Sequence, residues 1–148
     1  MSSKLKAASI PIQLRSWPID QLPGLSDRDR QKLNDCGITT TAQLIAATRT
    51  PETKQALASK LQVHAHHISK WVAMAELSTI PSVSCQYCGL LLHTGIASVS
   101  QLAQTPVHRL HQQILRLHVA TMQRRDLCPS VEEVQGWIKQ AQMLMANR

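Results

Sequence analysis

Gly37-Ile38-Thr39-Thr40-Thr41-Ala42-Gln43-Leu44, GITTTAQL, is matched further along the chain by Gly95-Ile96-Ala97-Ser98-Val99-Ser100-Gln101-Leu102, GIASVSQL. Each stretch sets a glycine where a helix must end in a left-handed turn, followed by a hydroxyl residue three places before a glutamine. Thr40 with Gln43, and Ser98 with Gln101, fit the capping box, in which each side chain satisfies a backbone donor that a helix start leaves open. GI-x-(T/S) therefore reads as a turn between two helices, written twice.

Working outward, the register that aligns the two stretches also aligns Pro23 with Pro81, Ser26 with Ser84 and Leu33 with Leu91. After a longer middle in the second copy, Trp71-Val72-Ala73-Met74-Ala75 matches Trp137-Ile138-Lys139-Gln140-Ala141. The chain thus divides into an extended or flexible segment, residues 1–16, and two structural copies, 17–78 and 79–148. Ser26 and Ser84 are placed as N-caps, Pro51 and Pro106 as first residues of third helices, and Pro129-Ser130 with Glu133 as the start of the last. Last helices are expected near 65–77 and 131–146. No alternating pattern suggests a strand, so the predicted fold is all-α: two repeats packed as one compact helical bundle.

Composition narrows the function. The 148 residues are 43% hydrophobic, enough for a core. Sixteen Lys and Arg against nine Asp and Glu leave a net charge of +7, which attracts polyanions. Three Trp, one Tyr and no Phe argue against a surface that stacks splayed bases in series. No apolar run long enough for a membrane span or signal peptide is visible, so a cytoplasmic protein with reduced cysteines is expected. Trp71 and Trp137 are expected to pack between helices, and Trp17 to anchor the N-terminal segment.

Ile19 to Leu33, IDQLPGLSDRDRQKL, resembles the helix-hairpin-helix motif through Ile19, Leu22, Pro23, Gly24, Leu25 and Leu33. The run LSDRDRQKLNDCGITTTAQL is similar to the C-terminal domain of the bacterial RNA polymerase alpha subunit, which has a Leu-Ser-x-Arg helix and a Gly-Ile-x-Thr turn. Taken whole, the doubled pattern with a Trp in each final helix resembles an uncharacterised bacterial domain family built of tandem helix-hairpin-helix units. The resemblance implies binding of phosphates by backbone N–H groups at a helix N-terminus, independent of base sequence. The chain departs from the motif at its glycines: Ser26 replaces one in the first copy, and Ser82 and Ser84 replace both in the second. Asp27 and Asp29 also put negative charge where a phosphate would sit. These two hairpins read as scaffolding.

Two basic features are better placed. KLQVHAHHISKW carries Lys60, His64, His66, His67 and Lys70, with no acid between Lys54 and Val72. The helix of Pro106 to Arg125 has a core stripe of Leu110, Ile114 and Leu117, with Arg109 and Arg116 on one flank and His111, His118 and Arg125 on the other; Arg124 adds to the cationic end. The expected ligand is nucleic acid held by its backbone at Lys60, His64, His66, His67, Lys70, Arg109, Arg116, Arg124 and Arg125. The alternative is a protein-interaction adaptor or assembly factor in which the hairpins are purely structural and the bundle presents a groove to a partner or to a second copy; an acidic protein is the partner expected if nucleic acid is not, and the protein a monomer or homodimer.

Chemistry is not expected. Cys85-x-x-Cys88 and His108-x-x-His111 offer zinc-ligand types at spacings unlike a zinc finger, and Cys85 and Cys88 align with Asp27 and Arg30 of a copy that needs no metal. No nucleophile elbow or nucleotide-binding glycine loop is present. The chain is expected to be a non-enzyme with no cofactor and no metal.

Overall fold

The computed structural model describes residues 16–121 and 128–146. Among them are eight α-helices and no strand: α1 Asp27–Asp35, α2 Thr41–Ala47, α3 Pro51–Leu61, α4 Ala65–Leu77, α5 Ser84–His93, α6 Val99–Gln104, α7 Val107–Thr121 and α8 Val131–Ala146. The last helices fall where the sequence pattern sets them. Residues 1–15, most of the expected N-terminal segment, lie outside the described residues.

The repeated stretch does the work its spelling implies. Gly37 (φ 82°) and Gly95 (φ 97°) are left-handed. Beyond each, an isoleucine N–H returns to the carbonyl five residues back: Ile38 to Leu33 at 2.9 Å and Ile96 to Leu91 at 3.0 Å. The glycine N–H groups bond Asn34 and Leu92, so both helices end in the same Schellman turn. Ile38, Leu33, Ile96 and Leu91 are all buried, so each turn is closed by an apolar contact as well as by backbone bonds. A third such turn ends α3, where Val63 N–H bonds Ala58 O at 3.0 Å, but there Gln62 takes the left-handed position (φ 59°).

The helix starts are capped unevenly. Ser26 Oγ accepts from Asp29 N–H, Thr40 and Gln43 form a full capping box, Thr50 and Thr53 form another with Pro51 at the first position, and Ser130 pairs with Glu133. Three expected starts differ in detail. Ser98 accepts from Gln101 N–H, but the Gln101 side chain takes Ala97 N–H and donates to Gly95 O, so the box is half made. Pro106 precedes α7 and supplies its carbonyl to Leu110 N–H, one place earlier than expected. Ser84 is no N-cap: tight turns from Ile80 run straight into α5, Ser84 sits at φ 48°, and its Oγ accepts from Gln86 N–H.

Within residues 17–78, α2 and α3 both pack on α4 and α1 touches α3; within 79–146, α6 and α7 both pack on α8 and α5 touches α7. The halves meet where α4 lies against α5. Five consecutive residues of α4, Trp71 to Ala75, are buried, as a helix enclosed on most sides requires. Leu33, Leu44, Ile68 and Leu77 belong to the same buried cluster as Leu91, Leu102, Leu110, Ile114 and Trp137, with Ile80 and Val83 at the join. Trp137 also meets the Tyr87 ring at 4.8 Å between centroids.

The chain enters this bundle through Trp17. Its backbone exchanges hydrogen bonds with Thr41, its neighbour Pro18 bridges to Thr40, and its indole N–H donates to Ser78 O at 2.9 Å. Thr41 is fully buried, and its hydroxyl accepts from the Trp17 N–H. Trp17→Phe keeps most of the ring but leaves the buried Ser78 carbonyl without that donor; urea unfolding is expected to show a loss of about 1–3 kcal/mol. Gln62→Gly relieves the left-handed backbone of a side-chain residue, and the same measurement should show a gain of about 0.5–1 kcal/mol.

Candidate nucleic-acid interface

The α3–α4 turn assembles the first group of expected site residues. Lys60 ends α3, Gln62 turns the chain, and His64 stands at the N-cap of α4 with no side-chain cap bond. Lys60, His64, His66, His67 and Lys70 are all exposed. The His67 ring lies 6.2 Å from that of His64 and 5.6 Å from that of His66, centroid to centroid. No acid stands in the first turn of α4, whereas α1 carries two there, Asp27 and Asp29. His67 N–H bonds the His64 carbonyl at 2.9 Å, and a helix start with neither a side-chain cap nor an acid suits an anion better than an acid-led, side-chain-capped start does.

These side chains do not all face one space. His67 and Lys70 line a groove of about 360 Å³ between α4 and α5, where His93 joins them. Lys60 lines a different cleft with Lys32 and the carboxylate-bearing Asp35. Lys32 is engaged there, donating to Leu61 O at 2.9 Å and so capping the C-terminus of α3. Sequence reasoning missed both Lys32 and His93. His93 carried one usable signal, a cationic side chain in the last turn before the Gly95 stop; the signal of Lys32 exists only once α1 and α3 are packed.

The basic α7 departs further from expectation. Arg109 and Arg116 are exposed, and Arg109 lines a polar cleft with Gln101, Gln104 and Gln113. The opposite flank is not a cationic surface: His118 is buried and its Nδ1 has no hydrogen-bond partner, while half-buried His111 bonds Pro129 O through Nε2 at 3.1 Å. The inner stripe runs Leu110, Ile114, His118, spaced by four, and leaves Leu117 half-buried. Arg124 and Arg125 lie outside the described residues.

The motif hairpins are engaged internally. In the first, Arg30 pairs with Asp27, and Ser26 holds Asp29 N–H. In the second, Ser82 N–H donates to Gln140 Oε1 at 3.0 Å and Gln140 Nε2 returns a bond to Ser82 Oγ at 2.8 Å. The Ser82 backbone donor is thus engaged by α8.

Among the described residues, no group of three or more His, Cys, Asp or Glu is placed to hold a metal ion. Cys88 is fully buried on α5, and burial, with Cys85 beside it adding repulsion, pushes its thiol up to about 12. Burial raises Cys85 and Cys128 as well. These are poor nucleophiles at neutral pH. Because folding favours the neutral thiol of Cys88, its contribution to stability is complete below the ordinary value of 9.0 and is lost as pH rises from there toward 12. Thermal midpoints are expected to fall across that alkaline window, and Cys88→Ala should flatten part of the fall.

No helix among the described residues is long and apolar enough to cross a membrane. No curated protein and no solved structure matches the chain significantly. One family does match, over residues 23–144, from Pro23 to two residues short of the end of α8. With four fifths of its length so covered, the chain belongs to the family described as Domain of unknown function (DUF4332).

Proposed function

We propose that this protein is a non-catalytic module that binds nucleic acid through its backbone phosphates, with the α3–α4 turn as the contact. In this reading each half is a helix-hairpin-helix unit whose Pro23 and Pro81 hairpins have become scaffold, and the phosphate site lies in the first half's second hairpin. The observation that carries it is the start of α4. Helices α1, α2 and α3 each close their first turn with a Ser or Thr side chain, whereas α4 opens with no side-chain cap and no acid, carries His64, His66, His67 and Lys70 in its first turns, and follows Lys60 of the last turn of α3. A phosphate there would accept from backbone donors and neutralise cations without meeting a base edge, so binding would be indifferent to sequence. Arg109 and Arg116 would add to the attraction through the overall field of a +7 chain.

Nothing in the site supports catalysis: the buried thiols have raised pKa values, and the exposed imidazoles of α4 have no acid in the same first turn to orient them. The adaptor reading is favoured by one observation, the engagement of Ser82 N–H by Gln140, which removes a phosphate donor from the second hairpin.

Labelled duplex DNA and RNA titrated by fluorescence anisotropy at several salt concentrations test the proposal. Binding should weaken as salt rises, and Lys60→Ala or Lys70→Ala should each lower the salt slope by about 0.9. A Lys60→Glu, Lys70→Glu double variant that still folds and binds like the parent would overturn it, as would absence of binding at about 50 mM salt, where phosphate contacts are strong.

A further inference from the structure

Three of the exposed side chains at the α3–α4 turn are imidazoles, and they stand together. His64 is the N-cap residue of α4, and His66 and His67 follow in its first turn. The His67 ring is central: the His66 ring lies 5.6 Å from it and the His64 ring 6.2 Å, centroid to centroid. All three side chains are exposed. Among the described residues the ion pair is Arg30 with Asp27, so no carboxylate is paired with any of these rings.

The charges on the surrounding elements leave the cluster without an acid at its own end of the helix. Helix α4 packs against α2, α3 and α5. No side chain of α2 titrates. Helix α3 brings Lys60 in its last turn, next to the cluster in the chain, with Lys54 further back and Glu52 in its first turn. Helix α5 brings His93, which lines one groove with His67 and Lys70, while burial keeps Cys85, Cys88 and Tyr87 neutral at neutral pH. The acid of α4 itself, Glu76, stands in its last turn, and Asp35 of α1 shares the cleft of Lys60, not the groove of His67.

An imidazole side chain changes charge between about pH 5 and 8, a range in which lysine keeps its own. A proton taken up by one of these rings joins Lys60, Lys70 and the positive end of the α4 dipole, with no carboxylate beside it to offset the charge. A phosphate at the same turn supplies the missing negative charge, so protonated rings and phosphate favour each other. Linkage fixes the sign: a ligand that prefers the protonated site takes up protons as it binds, and binds more tightly as pH falls. We infer that phosphate binding at the α3–α4 turn is coupled to protonation of His64, His66 and His67, which makes nucleic-acid binding a pH-responsive property of this protein. This coupling rests on the phosphate reading of the turn and adds its regulation: Lys60 and Lys70 supply the constant part of the charge and the three rings the variable part.

The test titrates labelled duplex DNA with the full chain at about pH 8 and about pH 6, which bracket the imidazole range. Each imidazolium gained at a phosphate should tighten binding about tenfold at about 0.1 M salt and steepen the salt slope by about 0.9. Calorimetry between those pH values, in buffers of different ionisation heat, should show protons taken up on binding. A triple variant, His64→Gln, His66→Gln and His67→Gln, checked for folding by circular dichroism at both pH values, should keep the affinity of the parent at the higher pH and lose most of the tightening at the lower. Binding at the higher pH that is no tighter at the lower, absence of proton uptake by the parent, or tightening that survives intact in the folded triple variant would each overturn the coupling and leave the phosphate reading in place. No binding at either pH removes both.

Discussion

Everything in this bundle depends on two helix ends that turn left-handed and bury the isoleucine next in the chain. At Gly37 and Gly95 the backbone adopts a conformation that costs a side-chain residue about 1–2 kcal/mol and costs glycine little. The reversal brings Ile38 back over Leu33, and Ile96 over Leu91, so that the last carbonyls of α1 and α5 are satisfied within an apolar contact. Only from that geometry do α2 and α6 start in a direction that lets them lie on α4 and α8. The same turn at Gln62 shows that the bonding pattern can persist without glycine, at the cost of backbone strain.

The two stretches that align in sequence differ at particular contacts. Thr41 and Val99 occupy the same place after the turn, both buried, but Thr41 carries a hydroxyl that accepts from Trp17 N–H, which valine lacks. Ser82 is bonded to Gln140 of the last helix through both its N–H and its hydroxyl. Gly89 stands where the first half has Gln31, and its missing side chain is what admits Pro23 at the junction. Each difference lies where one half touches something the other half does not.

The candidate surface arises from the same arrangement. Because α4 is enclosed from Trp71 to Ala75, its exposed residues lie in its first two turns, and that is where His66, His67 and Lys70 stand. Lys60 and Lys70, ten residues apart in the chain, end up on different clefts because the Gln62 turn redirects the backbone between them.

Local signals in the sequence determined the helices, their order and most of their caps, since capping boxes, Schellman glycines and helical spacing act within a few residues. They placed Trp71 and Trp137 inside and set the last helices correctly. What they could not determine was which side of a helix another helix would cover. His118 reads as a basic flank until packing buries it, Ser84 reads as a cap until the Ile80 turn runs into α5, and His93 joins His67 and Lys70 only because α5 packs on α4. Those outcomes belong to tertiary structure because burial and groove formation depend on contacts between residues far apart in the chain, which no local periodicity encodes.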